Sequence, residues 1–255
     1  MKNIAVKIMY DGSHYHGWQI QKNGITVQER LEEVLSELSG EKISVCGCSR
    51  TDSGVHALDY VFNFKSNIKI PPEKLPYALN MHLADEGVSA TLAKYVDDDF
   101  NARFSSTGKR YIYKIWNSPI QNPFTANYSW QVPYKLDKEA MKEAAKAFCG
   151  EHDFSAFMAA GGSQKTTVRN ITHCAVSESA EWPDALEIEV EANAFLYNMV
   201  RIIVGTLIEV GTGKIPADEI GKIIESHDRK EAGMTAPPQG LFLKKVFYNP
   251  SDLDW

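Results

Sequence analysis

Apolar residues along this chain recur with two different periods, one typical of strands and one typical of helices. Residues 3–10 alternate between apolar and polar, which predicts a strand, whereas the apolar residues of 27–38 recur at helical spacing. Strand-like runs follow at 42–48 and 58–64. Prolines at 71 and 72 open a second helix that ends near residue 83, and 88–96 is again strand-like. The first part of the chain therefore has the order β-α-β-β-α-β.

The rest of the chain repeats this order of elements without repeating its residues. The aromatic and β-branched run at 110–116 predicts a strand, and Asp137 is a suitable N-cap for a helix through 148. Strand-like runs follow at 166–176 and 185–191. Two helices and a last strand are predicted at 195–210, 216–226 and 241–247.

Two such repeats predict an α+β protein with two halves, residues 1–105 and 106–255. Each half is a ferredoxin-like (RRM-like) unit, and we expect their antiparallel sheets to lie side by side with a central cleft for an active site. The connections 117–133, 151–165 and 227–240 are long for a compact domain. Each is either a plain surface loop or a contact with a ligand, and the AAGGS stretch at 159–163 is flexible by composition.

Composition narrows the class of protein. The chain has 255 residues, of which 44% are hydrophobic, and a formal net charge of -6, so any nucleic-acid surface would have to be a basic cleft in an acidic body. The longest apolar stretch, 195–210, contains Arg201 and Glu209 and is too short to span a bilayer. Lys7 and Asp11 interrupt an export signal, and four cysteines without a C-x-x-C pair fit a reducing compartment. We therefore expect a cytoplasmic protein.

The sequence gives little support for a metal or a nucleotide cofactor. A zinc site would have to recruit Cys46 and Cys48 with histidines at 14, 16 or 56, but these residues lack the paired spacing of structural zinc sites. The GTGK segment at 211–214 has neither the spacing nor the Ser or Thr of a phosphate-binding loop, and it follows a predicted helix rather than a strand. We expect neither a metal nor a cofactor.

One polar turn stands out between the strand-like runs 42–48 and 58–64. It presents Asp52 at a strand end, with Arg50 two residues before it and a hydroxyl on each side from Thr51 and Ser53. Loops carried by rigid strands are frequent places for catalytic groups. The alternative is an ordinary turn in which Asp and Ser satisfy their own backbone.

The same turn carries a resemblance to a known family. Segment 49–57, SRTDSGVHA, resembles the GRTDAGVHA signature of the tRNA pseudouridine synthase A (TruA) family. Further segments resemble family motifs in the same order: YDGS at 10–13 with GWQIQ at 17–21, FNARFS at 100–105 with KRYIY at 109–113, FLYNMVR at 195–201 with Gly205, and PQGLFL at 238–243. The resemblance covers essentially the whole chain. Cys48 and Ser49 stand where a Gly is usual, and Ser53 replaces an Ala, without loss of a functional side chain.

The resemblance implies an isomerisation without a cofactor, in which the N1–C1′ bond of uridine breaks and the base rejoins through C5. Asp52 is then the catalytic carboxylate, acting at the ribose as a nucleophile or as a base. Arg201 is implied as its ion-pair partner, with a structural ion pair as the alternative. Tyr111 aligns with the tyrosine that packs on the base. Tyr113 points to the same strand face, and packing in the core is a further alternative for both.

A uridine in a stem must leave its stack before any group can reach C1′. Arg50 is placed to occupy the vacated space and hold the flipped base, unless it merely pairs with Asp52. Five more basic residues are candidate RNA contacts, although each is otherwise an ordinary surface charge: Arg103, Lys109, Arg110, Lys165 and Arg169.

The family also implies a partner, a target and an assembly: tRNA as substrate, uridines 38, 39 and 40 of the anticodon stem-loop as targets, and a homodimer. Three alternatives remain open at this point. The chain could be an RNA-binding protein without catalysis, a hydrolytic N-glycosidase that releases free uracil, or a paralogue with another uridine target.

Overall fold

The computed structural model describes residues 1–162, 165–180 and 182–255. Position 163, at the end of the AAGGS stretch, therefore lies outside the described residues. Contacts divide the chain into two compact units: Met1–Gly108 together with Phe242–Trp255 form the first, and Lys109–Leu241 form the second.

The first unit begins with an antiparallel sheet covered by two helices. Its elements in chain order are β1 (Lys2–Tyr10), α1 (Val27–Ser39), β2 (Cys46–Gly47), β3 (His56–Ser66), α2 (Leu75–Leu83) and β4 (Val88–Val96). Strand β1 lies between β3 and β4 and is antiparallel to both. Its side chains Ile4, Val6 and Ile8 are fully buried and form the core together with Phe62 and Phe64 of β3.

Helix α1 follows from signals that are visible in the sequence. Thr26 and Glu29 form a capping box, in which each side chain binds the backbone amide of the other residue. Gly40 ends the helix in the left-handed conformation, at φ 71°. The apolar stripe of the helix is buried, as its spacing predicts.

The predicted strand at 42–48 is wrong for most of its length, because only Cys46–Gly47 pairs with β3. The preceding backbone is bound by side chains of α1 instead of by a neighbouring strand. The amide of Ile43 donates to Ser36 Oγ at 2.9 Å, and the amide of Val45 donates to Glu32 Oε1 at 3.0 Å. This segment is therefore extended and apolar without being part of the sheet.

The second unit also consists of an antiparallel sheet and helices. Its elements are β5 (Ser106–Trp116), β6 (Trp130–Gln131), α3 (Lys138–Lys146), β7 (Gly150–Asp153), β8 (Val168–Glu178), β9 (Ala185–Ala192), α4 (Met199–Gly211) and α5 (Ile220–Ser226). The strands run in the order β5-β9-β8-β7 and each neighbouring pair is antiparallel, while the short β6 is parallel to β5. Asp137 caps α3 as predicted, because its carboxylate accepts a hydrogen bond from the amide of Ala140.

The last strand, β10 (Leu241–Tyr248), returns to the first unit. Phe242 and Leu243 pair in parallel with the start of β3, and the hydroxyl of Tyr248 donates to the carbonyl of Ala102 at 2.7 Å. Sequence order groups this strand with residues 106–255, whereas its contacts after Leu241 are with residues more than 100 positions earlier. The predicted α+β class is confirmed. No helix in the described ranges is long and apolar enough to cross a membrane.

Candidate active site

The loop between β2 and β3 presents Asp52 at an irregular stretch of backbone. Asp52 is half-buried and Arg50 is exposed. The residues between Gly47 and His56 contain turns but no helix or strand, so their conformation has to come from contacts with other parts of the unit.

Most of those contacts come from the segment that follows β1. The amide of Trp18 donates to the carbonyl of Thr51 at 3.1 Å, and the amide of Gly54 donates to the carbonyl of Tyr15 at 3.3 Å. Tyr10 adds a buried hydrogen bond of 2.8 Å between its hydroxyl and Thr51 Oγ1. These bonds fix the backbone on both sides of Asp52.

Two glycines make this close approach possible. A Cβ at Gly17 would lie 2.4 Å from the carbonyl oxygen of Thr51, and the φ of Gly17 is +81°, which other residues rarely adopt. A Cβ at Gly12 would lie 2.0 Å from the carbonyl oxygen of Val55. Any side chain at either position would therefore push the loop away from its support.

Aromatic side chains support the loop from its N-terminal end. The rings of Trp18 and Tyr60 are stacked, with centroids 4.1 Å apart, and the hydroxyl of Tyr60 donates to the carbonyl of Ser49. Gly47 packs against both, since a Cβ there would lie 2.2 Å from the Tyr60 hydroxyl.

The imidazole of His56 closes the other end of the loop. It is only 1% exposed, and its ring stacks on Phe242 at 4.6 Å. Its Nδ1 lies 3.1 Å from the amide of Gly12 and 3.1 Å from Asp11 Oδ1. Among the residues that the structure describes, no three His, Cys, Asp or Glu side chains are grouped as a metal site would require.

Tyr15 links the loop to a more distant ion pair. Its hydroxyl donates to the carbonyl of Glu86 at 2.9 Å, and burial together with the nearby Glu86 carboxylate raises the pKa of Tyr15. Arg30 binds both carboxylate oxygens of Glu86, each at 2.8 Å, and thereby lowers the pKa of Glu86.

The second unit contains the tyrosines and Arg201. Tyr111 lies on β5 opposite Val190 of β9, and its ring meets the edge of Phe195 at 5.1 Å with an interplanar angle of 89°. The Tyr111 side chain is 6% exposed.

Tyr113, two residues further along β5, has a fully buried side chain. Its hydroxyl donates to the carbonyl of Pro237 at 2.7 Å, and Gly240 packs on its ring. Burial raises the pKa of Tyr113, and the nearby Arg201 opposes this shift only in part. Tyr113 is thus anchored in the core of the second unit.

Arg201 lies in the first turn of α4, and its guanidinium is oriented by neighbouring polar groups. Nε donates to the carbonyl of Ala236 at 2.7 Å, and one terminal nitrogen donates to Asn198 Oδ1 at 2.7 Å. Asn198 has a left-handed backbone at φ 60°, which starts the helix later than the predicted residue 195. The segment around Ala236 packs closely along α4, because a Cβ at Gly205 would lie 1.8 Å from the carbonyl oxygen of Met234.

The five candidate RNA contacts have different surroundings. Arg103 and Lys165 are exposed, and the guanidinium of Arg103 lies over the exposed ring of Phe104. Lys109 is buried, and Arg110 pairs with Glu191, with its Nε 2.7 Å from a carboxylate oxygen. Arg169 is 8% exposed, burial lowers its pKa, and its Nε has no hydrogen-bond partner among the described residues.

The residues that position the Asp52 loop were not assigned any role by the sequence analysis. Each of Tyr10, Gly12, Gly17 and Trp18 falls within a motif segment, so the motifs contained the signal. Only the structure relates these segments to the backbone around Asp52. Tyr60 lies outside the motifs, and its pattern indicates only a buried strand residue.

Comparison with known proteins agrees with the resemblance seen in the sequence. Residues 6–105 and 144–249 match the family model described as tRNA pseudouridine synthase, a match that includes Asp52 and Arg201 but not Tyr111. A protein of Thermoanaerobacter sp. (strain X514) named tRNA pseudouridine synthase A is 52% identical over 97% of this chain and 100% of its own length.

Two further relatives cover the same shares of both chains. They are tRNA pseudouridine synthase A of Acetivibrio thermocellus, at 50% identity, and tRNA pseudouridine synthase A 2 of Clostridium perfringens, at 46% identity. The family predicted from the motifs is confirmed, and the chain belongs to the tRNA pseudouridine synthase family of isomerases.

Proposed function

We propose that this protein isomerises uridine to pseudouridine at positions 38, 39 and 40 of the tRNA anticodon stem-loop. The observation that carries the proposal is the half-buried Asp52 on a loop with a firmly fixed backbone, in a chain whose relatives are named tRNA pseudouridine synthase A. A rigid loop that presents one carboxylate meets the geometric requirement for catalysis at a bound sugar.

Asp52 is the proposed catalytic carboxylate. The reaction breaks the N1–C1′ bond, turns the base and forms a C5–C1′ bond, after which C5 loses a proton and N1 gains one. No oxidant, reductant or metal is needed for this balance. Asp52 acts at the ribose, as a nucleophile or as the base that starts the reaction.

Arg201 is the proposed ion-pair partner of that carboxylate. An ionised carboxylate shielded from water needs a compensating cation, and a guanidinium can bind both of its oxygens. The bonds from Arg201 to Ala236 and Asn198 support this role because they restrict the guanidinium to one orientation. A preorganised charge is worth more to catalysis than one that must reorient.

Tyr111 is the proposed packing residue for the uracil base. Tyr113 is less suited to that role, since its hydroxyl is bound to Pro237 and its ring is covered by Gly240. The edge of Phe195 restricts the ring of Tyr111 and supports its use as a fixed stacking surface.

Arg50 is the proposed residue that holds the flipped base. It is exposed two positions before Asp52, and the ion pairs seen among the described residues do not include it. Arg103 and Lys165 are proposed phosphate contacts because both are exposed. Lys109, Arg110 and Arg169 are less exposed, and they are proposed as phosphate contacts only on the basic charge that suggested them. We further propose that the protein works in the cytoplasm as a homodimer.

Mapping of the modified residues tests this function. Unmodified tRNA transcripts with a single uridine at 38, 39 or 40 would be incubated with the protein without metal, and pseudouridine would be located by carbodiimide labelling and reverse transcription. The proposal predicts pseudouridine at each of the three positions and no free uracil. Free uracil with an abasic ribose would indicate the N-glycosidase, modification elsewhere would indicate a paralogue, and binding without modification would indicate an RNA-binding protein.

A further inference from the structure

The second unit contains a cavity that the proposed chemistry does not use. It has a volume of about 550 Å³, within the range of sites that bind small molecules. It lies between the segment that follows β6 and the C-terminal part of α4. Aromatic and apolar side chains such as Trp130, Tyr134, Ile208 and Met234 line much of it. Glu209 also lines it, and its Oε1 accepts a hydrogen bond from the amide of Met234 at 3.3 Å.

The walls of this cavity are fixed by hydrogen bonds. The side-chain amide of Asn117 donates to the carbonyls of Val132 and Tyr134, at 2.9 and 2.7 Å. On the other side, the amide of Asp137 donates to the carbonyl of Gly211 at 2.8 Å, which ties the end of α4 to the segment before α3. The cavity therefore exists before any ligand arrives, which reduces the entropy cost of binding.

Two lysines at the cavity lack the ion pairs that four other lysines of this unit form. Lys138, Lys142, Lys146 and Lys222 each lie within 2.7 Å of a glutamate oxygen. Lys135 and Lys214 line the cavity, are exposed, and form no ion pair with any residue in the described ranges. Lys214 belongs to the GTGK segment, for which the sequence analysis found no role.

Aromatic surface beside unpaired ammonium groups is the chemistry that recognises single-stranded nucleic acid. Bases stack on aromatic rings regardless of sequence, and lysines contact the phosphates. Trp130 is held in place by the edge of Tyr113 at 6.4 Å, while Tyr134 is 68% exposed and can receive a base. The whole chain has a net charge of -6, so two lysines without ion pairs at one cavity give this surface a charge opposite to that of the chain as a whole.

We propose that this cavity binds one unstacked nucleotide of the RNA substrate, with its base against Trp130 and Tyr134 and its phosphate between Lys135 and Lys214. The proposal rests on the proposed function for the identity of the RNA. Ile208 and Arg201 lie seven residues apart on α4, a separation of about 10 Å along the helix. Met234 lines the cavity and Ala236 binds Arg201, so the nucleotide site adjoins the segment that orients Arg201.

Two variants test the site, and a third serves as a matched control for the lysines. Tyr134→Ala removes the stacking ring, and the double variant Lys135→Ala/Lys214→Ala removes the proposed phosphate contacts. The control Lys142→Ala/Lys222→Ala removes the same charge from paired lysines elsewhere on the unit. Binding of a fluorescently labelled tRNA transcript would be followed by anisotropy over a range of salt concentrations, and tritium release from uracil C5 would give kcat and KM.

We expect Tyr134→Ala to weaken tRNA binding about tenfold without a change in the salt slope, because a stacked base contributes on that scale. The double lysine variant should lower the slope of log K against log salt by about one, since it loses a phosphate contact. Both should raise KM more than they lower kcat. The control should bind with the wild-type slope and affinity.

The outcomes separate this proposal from the proposed function. If the wild-type protein isomerises tRNA but Tyr134→Ala and the double lysine variant bind like the control, the nucleotide site is wrong. If the two variants show the expected changes in tRNA binding but the wild-type protein releases no tritium, the proposed function is wrong and the nucleotide site stands.

Discussion

Asp52 and Arg201 are positioned in contrasting ways. Asp52 lies on an irregular loop whose backbone is fixed by hydrogen bonds from Trp18 and Tyr60 and by the close packing of Gly17. A hydrogen bond between the hydroxyls of Tyr10 and Thr51 adds a side-chain contact. Arg201 lies on a regular helix, so the helix fixes its backbone and only the guanidinium needs orienting, by Ala236 and Asn198. Tyr111 lies on a regular strand, and the strand fixes its backbone in the same way.

This contrast predicts which substitutions would disturb each site residue. Substitutions distant in sequence can displace Asp52 without unfolding the sheet, because loop contacts are separate from the strand ladder. Arg201 and Tyr111 can be disturbed only through their own side chains or the residues that touch them. Four predictions follow from this contrast, in order of decreasing effect.

Arg201→Lys should lower kcat by a hundredfold or more, since a lysine keeps the charge but loses the planar, bidentate geometry. Single-turnover tritium release would measure the effect, with tRNA affinity expected to stay at the wild-type level. Asn198→Gly retains the left-handed backbone but loses one bond to the guanidinium, so its effect should be smaller. A fully active Arg201→Lys would show that the planar, bidentate geometry of the guanidinium is not needed.

Gly17→Ala should lower kcat about a hundredfold, because its Cβ would displace the carbonyl of Thr51 and a small misplacement of a catalytic group costs about this much. Gly40→Ala is the matched control: its φ of +71° is similar, but nothing lies within 4 Å of the new Cβ. It should cost about 1 kcal/mol of stability and leave kcat unchanged. Equal losses of activity in the two variants would show that the contact between Gly17 and Thr51 does not position Asp52.

Tyr111→Leu should lower kcat/KM about tenfold through loss of stacking on the base. Tyr113→Phe should instead lower the free energy of unfolding by about 1 kcal/mol, because the carbonyl of Pro237 loses its donor, with little change in kcat. Denaturant titration and steady-state kinetics on both variants would measure the two effects. The reverse pattern would assign base packing to Tyr113.

Glu86→Gln should have the smallest effect, a loss of about 0.5 kcal/mol, since the Arg30–Glu86 pair is partly exposed to solvent. The pair lowers the pKa of Glu86 below its ordinary value of 4.5. Its contribution is therefore present above that value and is lost as the pH falls through the lower pKa of the folded state. The stabilities of the variant and the wild-type protein should converge in acid, and a constant difference at all pH values would contradict this.

The sequence predicts those parts of the fold that local signals determine. The helix at 27–38, the N-cap at Asp137 and the aromatic run of β5 all lie where they were expected. The strand at 42–48 failed because side chains of α1, not another strand, bind its backbone. The short β6 and β7 and the return of β10 to the first unit depend on long-range pairing that periodicity does not report.

The candidate site shows the same division. The motifs identify the residues proposed to carry the chemistry, which are Asp52, Arg201 and Tyr111. Their roles remain predictions. The support of the loop could not be derived, because the approach of Gly17 to Thr51 joins two segments more than 30 residues apart whose own patterns are unremarkable.

The central claim is that the Asp52 carboxylate carries the isomerisation. It is tested most directly by tritium release from tRNA labelled at uracil C5, with wild-type protein, Asp52→Asn and Asp59→Asn, alongside tRNA binding by each. Asp59 is the control, because its carboxylate lies on β3, 3.1 Å from Lys7 Nζ, and has no proposed role in the site. We predict release by the wild-type protein and by Asp59→Asn, none by Asp52→Asn, and equal binding by all three. Release by Asp52→Asn at the wild-type rate would contradict the account.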